Sequence, residues 1–343
     1  MEKIFSASVG WLKREIYWAA LPLLLLGALW SSGAFFRAFD APIVVAVVAV
    51  FSLWMLLLLS VFIRRAALAA VWVELAVIAA FFCITPRQRF PEGTVWQKPW
   101  LKTLETRKLA DGRYELRNVR DFHYRSEHDF DLNYRTVIVD PEQISSIDAV
   151  FSHWDNLEGI AHSMLGLNFA DGTTVAISLE TRLPEGAEQN ALDGFYRRYA
   201  LAMLAGTPED LYGLRTDHRG ETLYIYKLRL DHAYMRRMTV SLFDRAEKLR
   251  KNPEYYNSLV RNCTTGLLPM LSDTGEAPQN DLRLLFNGMA DHLLYEQRQL
   301  VCREGESFGS LRARSLVPGR CRGKNAPPVP YRGESEARWL KNR

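Results

Sequence analysis

The sequence predicts three N-terminal transmembrane α-helices followed by an α+β extracytoplasmic domain. Three apolar runs, at about residues 18–36, 41–63 and 66–84, each approach the ~20 residues that cross a hydrocarbon core. A soluble bundle of buried helices is the alternative for these runs. Alternating and amphipathic segments follow residue 100, which is typical of a folded domain with strands and helices. We therefore predict a membrane anchor (1–85), a linker (86–100), an α+β domain (101–301) and an extended Arg- and Pro-rich tail (302–343).

Basic residues predict the orientation of the anchor. Lys3, Lys13 and Arg14 precede the first span, and Arg64-Arg65 lie between the second and third spans. Because positive charge in short loops marks the cytoplasmic side, we predict a cytoplasmic N-terminus and a domain on the opposite side. The small residues at 31–34 would also suit signal-peptide cleavage, and two spans would then still deliver the domain to the same side.

Charge and motifs argue against several classes of function. The net charge is only +4, and the basic residues are interspersed with acidic ones, so we predict no nucleic-acid partner. The sequence has no glycine-rich phosphate loop and no metal-spaced Cys/His cluster, so we predict no cofactor and no metal.

Alternation and capping signals predict the elements of the domain. Strands are predicted at 113–119, 123–124, 134–139 and 221–230. Asp140-Pro141 predicts a short helix that runs to Val150, and a second helix is predicted from 193 to 206. A longer amphipathic helix is predicted from 231 to 251.

The most informative segment is a predicted β-hairpin over residues 162–182. Its two alternating segments flank a loop of residues 170–172, with Gly172 in the left-handed conformation. One face is apolar and is formed by the odd-numbered residues Leu165, Leu167, Phe169, Val175, Ile177 and Leu179, so cross-strand pairs must join odd to odd. The other face carries the polar residues His162, Asn168, Thr174, Ser178, Glu180 and Arg182. This register places His162 opposite Glu180, and a slip of two residues would place it opposite Arg182. A carboxylate can orient a histidine and raise its basicity, which predicts a general base; a solvent-facing ion pair is the alternative.

The second chemical signal is Cys263. Asn262 can cap the apolar segment that follows, which leaves the thiol in a first helical turn where the helix dipole favours the thiolate. Polar neighbours argue against the alternative of an inert core cysteine. Cys302 and Cys321 flank an Arg- and Gly-rich loop and are predicted to form a disulfide, which would leave Cys263 as a reactive thiol. Pairing of Cys263 with either of them is the open alternative.

Three short motifs carry a resemblance to a known family: Ala161-His162-Ser163-Met164-Leu165, Ile177-Ser178-Leu179-Glu180-Thr181-Arg182, and Tyr256-Asn257 to Asn262-Cys263-Thr264-Thr265. They resemble the periplasmic domain of Lnb-type lipoprotein N-acyltransferases, a family also described as a domain of unknown function. That family looks related to permuted NlpC-like and papain-like cysteine enzymes. The resemblance covers roughly residues 121–300 and implies a permuted papain-like fold, since His precedes Cys.

The resemblance implies a Cys–His acyl transfer with Cys263 as nucleophile, His162 as base and Glu180 as third member. The acyl chain would pass from a membrane lipid, through a thioester, to the N-terminal amine of a lipoprotein. The predicted location is the bacterial inner membrane, multi-pass, with the domain in the periplasm. Polar neighbours of these three residues are predicted to contact substrate: Asn262, Thr264, Ser178 and Arg182. The alternatives are a cysteine amidase or peptidase that acts on cell-envelope peptides, and a non-catalytic envelope-binding protein.

Overall fold

The computed structural model describes residues 93–154, 159–189, 193–196, 198–257, 263–267 and 287–318, together with Phe90 and isolated positions between residues 26 and 79. The chain divides into two compact units, Met1–Pro91 with Asn190–Arg198, and Glu92–Gln189 with Tyr199–Arg343. The three predicted transmembrane spans lie almost entirely outside the described residues. Among the residues that are described, no helix has the length and hydropathy that a membrane crossing requires.

The second unit is an α+β domain built on a mixed sheet, so the predicted class of the domain is confirmed. Its described strands are β1 (Glu105–Lys108), β2 (Tyr114–Arg120), β3 (His123–Tyr124), β4 (Phe130–Asp131), β5 (Tyr134–Val139), β6 (Ile144–His153), β7 (Ala161–Phe169), β8 (Thr174–Arg182), β9 (Ala200–Gly206) and β10 (Thr222–Lys227). Its described α-helices are α1 (Pro208–Gly213), α2 (His232–Lys251), α3 (Cys263–Leu267), α4 (Ala290–Glu296) and α5 (Phe308–Ser315). A π-helical segment, Leu214–His218, follows α1 directly.

The main sheet has the strand order β1-β2-β9-β8-β7-β6-β10, and β5 pairs with β2. Neighbouring strands are antiparallel except β2 and β9, which are parallel and pair at Arg120 and Gly206. β3 and β4 form a separate two-stranded ribbon. The hairpin β7–β8 therefore lies in the interior of the sheet, flanked by β6 and β9.

Helices cover both faces of this central hairpin. α2 begins at Asp231, whose carboxylate accepts a hydrogen bond from the Tyr234 N–H at 2.7 Å. Its buried residues recur at intervals of three and four and pack in one core with the odd-numbered residues of β7 and β8. On the even-numbered face, Met164 and Ala176 pack in a second, smaller core with Leu211 and Tyr212 of α1. The even-numbered face is thus buried as well, although the sequence predicts a polar one.

The predicted turn and register of the hairpin are confirmed. Gly172 has φ +87°, and its N–H donates to the Phe169 carbonyl at 3.0 Å. Asp171 Oδ1 accepts a hydrogen bond from the Thr173 N–H at 2.8 Å, as is typical of an Asx turn. Asn168 pairs with Thr174, and the pairing stays odd to odd along the ladder. The turn chemistry therefore fixes which residues share each face.

Two predicted helices are wrong. Asp140 caps only a 3₁₀ turn at Pro141–Gln143, and β6 follows at once. The predicted helix over 193–206 is a 3₁₀ turn at Asp193–Tyr196 and then strand β9. β9 is buried along its whole length and most of β6 is buried too. A continuous apolar run of this kind cannot be distinguished from a buried helix by periodicity alone.

The prediction of an extended tail is wrong for Phe308–Ser315, which form α5. The Ser307 hydroxyl accepts a hydrogen bond from the Ser310 N–H at the start of this helix, and Leu311 is buried in the larger core. Residues 319–343 lie outside the described residues. In the predicted linker, Lys98–Trp100 form a 3₁₀ turn and Trp96 forms a β-bridge with Pro184.

Candidate active site

His162 lies at the start of β7, where the register of the sheet brings it beside Glu180. The ladder pairs Met164 with Ser178, and the same register continued by two residues sets His162 opposite Glu180. His162 Nε2 lies 3.1 Å from Glu180 Oε1 and 2.7 Å from Ser178 Oγ. The Ser178 hydroxyl donates its proton to Glu180 Oε1 at 2.6 Å, so Nε2 is the donor to Ser178. The predicted proximity of His162 and Glu180 is present, and Ser178 joins them.

A buried arginine that the sequence analysis missed contacts the same carboxylate. Arg215 lies in the π-helical segment after α1 and is 5% exposed. Its Nη2 donates to Glu180 Oε1 at 3.1 Å, and its Nη1 donates to Glu221 Oε2 at 3.3 Å. Glu221 also accepts a hydrogen bond from Ser152, which pairs with His162 across β6 and β7. Arg215 follows Glu180 by 35 residues and lies outside every predicted element, so the sequence offers no direct signal for it.

Burial and neighbouring charges shift the ionisation of His162 and Glu180 in opposite directions. Burial alone would raise the pKa of Glu180, but His162 and Arg215 hold that pKa well below its usual range. Burial and the charge of Arg215 lower the pKa of His162. Glu180 and Cys263 act more strongly in the other direction, and the pKa of His162 rises to about 9. These two shifts together favour a protonated imidazole beside an ionised carboxylate at neutral pH.

Cys263 approaches the same histidine from α3. Cys263 is 5% exposed, and it lies near enough to His162 to raise the pKa of that imidazole. α3 packs against β7 and β8. This packing is close because Gly266 has no side chain: a Cβ there would lie 2.8 Å from Leu179 Cδ1. Burial raises the pKa of the Tyr256 phenol, and the nearby charges of Cys263 and Glu180 raise it further.

The other predicted site residues are placed differently. Ser178 lies inside the cluster, whereas Arg182 donates hydrogen bonds to two backbone carbonyls of the segment before β1. Asn262 lies outside the described residues, and so does the side chain of Thr264. Their predicted contacts with substrate stay predictions.

The predicted disulfide also stays a prediction. Cys302 is half-buried, with its Sγ 3.6 Å from the Leu300 carbonyl oxygen, and Cys321 lies outside the described residues. Within the part of the chain that the structure describes, no group of His, Cys, Asp and Glu side chains is arranged to hold a metal ion.

The fold and the cluster define a class: an α+β domain in which a buried histidine contacts both a carboxylate and a cysteine. Residues 130–288 match the family model described as the Lnb N-terminal periplasmic domain.

The matched range contains His162, Glu180, Cys263, Ser152 and Arg215 alike. This match confirms the resemblance drawn from the three short motifs, and it likens the domain to a periplasmic one. No curated protein and no solved structure matches the chain.

Proposed function

We propose that this chain is a membrane-anchored periplasmic acyltransferase that uses Cys263 as its nucleophile. The observation that carries the proposal is a buried histidine that lies 3.1 Å from the Glu180 carboxylate and whose pKa is raised by the neighbouring Cys263. A nucleophile, a base and a group that orients the base are the parts that nucleophilic catalysis requires. The order of His before Cys along the chain supports a permuted papain-like relationship.

The resting state that we propose is a thiolate beside an imidazolium. Cys263 raises the proton affinity of His162, and the same interaction makes the protonated ring favour the thiolate. His162 Nε2 keeps its proton because it donates to oxygen atoms of Ser178 and Glu180. Nδ1 is therefore the nitrogen that loses and regains the mobile proton. The positive charge of Arg215 disfavours the protonated imidazole of His162 and so makes its proton easier to release.

The proposed reaction has two steps. In the first, the Cys263 thiolate attacks the carbonyl carbon of a lipid ester, a C–S bond forms, and the ester C–O bond breaks. The leaving alkoxide takes the proton from the His162 imidazolium, which leaves a thioester and a neutral ring. In the second step, an amine attacks the thioester carbonyl and gives its proton to His162, and the C–S bond breaks to restore the thiolate. Division into two steps lowers each barrier and leaves a species that can be trapped.

Membrane substrates suit the proposed anchor. The three apolar runs before residue 85 would hold the domain at the bilayer surface, where a donor lipid and a lipoprotein N-terminus both lie. A reporter that is active only in the periplasm, fused after Arg343, should work, and a reporter that is active only in the cytoplasm should not. The opposite pattern would reject the proposed topology.

The covalent intermediate gives the direct test. The full chain, purified from membranes without an amine acceptor, should carry a fatty-acyl mass on the Cys263 peptide, and neutral hydroxylamine should remove it. His162→Ala should prevent the adduct, because the leaving group then receives no proton. Cys302→Ala is the matched control, since it removes another cysteine and should leave the adduct in place.

Two other outcomes would replace the proposal. An adduct that forms only with peptide substrates, followed by hydrolysis, would indicate a thiol amidase or peptidase with the same cluster. A Cys263 that carries no adduct and alkylates no faster than an ordinary thiol at neutral pH would indicate a binding protein and would reject catalysis.

A further inference from the structure

A cavity of about 290 Å³ lies where the segment before β1, the first half of β9 and the end of α2 meet. Apolar side chains form most of its walls: Trp96, Leu101, Leu201, Met203, Ala246 and Leu249. Apolar walls with a few polar groups are typical of cavities that bind small ligands. The polar groups of this cavity therefore indicate which ligand it can hold.

One wall carries a cation that has no carboxylate partner among the described residues. Arg182 Nε donates to the Trp100 carbonyl and its Nη2 donates to the Leu101 carbonyl, each at 2.8 Å. The guanidinium also stacks on Trp96, with its Cζ 4.3 Å from the ring centroid. These contacts fix the plane of the guanidinium, while Nη1 has no acceptor within the described part of the chain. Burial without a carboxylate lowers the pKa of Arg182 to about 10.

A second basic side chain, that of Lys102, also lines the cavity. Lys102 is exposed, and its Nζ lies 4.8 Å from the centroid of the Tyr134 ring, with no carboxylate partner among the described residues. The other charged residues of the cavity are already paired, Arg250 with Glu247 at 2.7 Å and Glu105 with Arg117 at 3.5 Å. Two positive charges without a carboxylate partner among the described residues thus line this cavity of mostly apolar walls.

We propose that this cavity binds the phosphate of a membrane phospholipid head group, with Arg182 as its principal ligand. A planar guanidinium with unused N–H donors suits a phosphate. The surroundings favour a lipid over a soluble anion: Val95 is 59% exposed and Leu101 is 38% exposed, next to Trp96 and Trp100. Tryptophan with exposed apolar and basic residues is typical of a membrane interface.

The cavity adjoins the candidate active site. Arg182 follows Glu180 by two residues on the same face of β8, which places their Cα atoms about 7 Å apart. Ala202, in the wall of the cavity, pairs directly with Glu180. A phospholipid held by its phosphate would therefore carry its ester groups toward the cluster around His162. In this respect the inference rests on the proposed function, because it identifies the lipid as the acyl donor.

The test measures lipid binding apart from catalysis. The full chain with Cys263→Ala is purified in a nonionic detergent, and native mass spectrometry measures binding of dimyristoyl phosphatidylglycerol, of dimyristoylglycerol, which lacks the phosphate, and of inorganic phosphate. Arg182→Gln should weaken binding of the phospholipid by about tenfold to hundredfold, as expected for hydrogen bonds to a charged group. It should not change binding of dimyristoylglycerol. Arg113→Gln is the control, because Arg113 is an exposed arginine paired with Asp111.

Lys102→Gln is a second variant that tests the same cavity if Arg182→Gln does not fold. Lys102 is exposed, so this change should leave the circular dichroism spectrum unchanged and should weaken phospholipid binding by up to about fivefold. Equal phospholipid binding by the parent and the Lys102 and Arg182 variants would overturn the inference. Competition by inorganic phosphate at the same concentration as the lipid would also overturn it in favour of a soluble anion. An intact, Arg182-dependent lipid site in a protein that forms no acyl adduct would reject the acyl transfer alone.

Discussion

Glu180→Gln tests the electrostatic basis of the cluster. The change keeps the size of the side chain but removes the charge that lies 3.1 Å from His162 Nε2. At an effective dielectric constant of about 20, two unit charges at that distance attract by about 5 kcal/mol, which corresponds to about four pKa units. Burial and Arg215 both lower the pKa of His162, so without Glu180 it should fall from about 9 to below about 6.5.

The assay is the alkylation rate of Cys263 by iodoacetamide between pH 5.5 and 9.5, followed by mass spectrometry of its peptide. In the unsubstituted protein the imidazolium should sustain the thiolate, so the rate should change little from pH 6.5 to pH 8. In Glu180→Gln the ring is neutral in this range, and the thiolate should form only near the ordinary cysteine pKa of ~8.5. The rate at pH 6.5, divided by the rate at pH 9.5, should therefore fall by about tenfold or more.

Each variant is compared with itself across pH, so a difference in the access of the reagent to Cys263 cancels. Glu115→Gln is the matched control, because it removes a carboxylate that pairs with Arg107 and Arg117 on the surface. An unchanged profile in Glu180→Gln would refute the reasoning, since it would mean that Glu180 does not control the charge of His162.

Three further predictions concern stability. The raised pKa of His162 stabilises the fold fully below pH 6.5, and this contribution of about 3 kcal/mol should disappear as the pH rises through about 9. Thermal unfolding of His162→Gln should show a smaller fall in stability over this pH range. An equal fall in both proteins would contradict the assignment. Asp210→Asn leaves the buried Arg120 without the carboxylate that lies 2.6 Å away, so urea unfolding should show a loss of about 3–5 kcal/mol, and a loss below 1 kcal/mol would contradict it. Gly266→Val forces a side chain against Leu179, so urea unfolding should show a loss of about 1–3 kcal/mol in the free energy of unfolding. Alkylation of Cys263 should also become slower. An unchanged alkylation rate would show that the close contact does not position the thiol.

The part of the site that the sequence predicts is the part that local rules control. The alternation of apolar residues and a glycine-ended turn fix the register of β7 and β8, and the register brings His162 to Glu180. The long helix α2 is predicted within one residue because its cap at Asp231 and its apolar spacing are both local signals.

The part that the sequence does not predict depends on tertiary structure. Arg215 reaches Glu180 only because α1 and its π-helical extension pack across the even-numbered face of the sheet. Strand β9 is mistaken for a helix because both of its faces are covered, which removes the alternation that reveals a half-buried strand. Burial of the polar face could not be foreseen either, since the residues that cover it lie far away in the chain.

The β7–β8 hairpin has a consequence for the order in which the protein folds. Its strands are joined by four residues, so it can form on its own within about 1–10 μs, well before contacts between distant parts of the chain. Cys263 enters the chain long after the hairpin is complete and meets His162 only when α3 packs on the finished sheet. Until then the sulfur has no imidazolium beside it and behaves as an ordinary thiol of low reactivity at neutral pH. On the proposed mechanism, the sulfur would become reactive only once α3 is in place, so a chain that emerges into an oxidising compartment would be protected from wrong disulfide exchange while it folds.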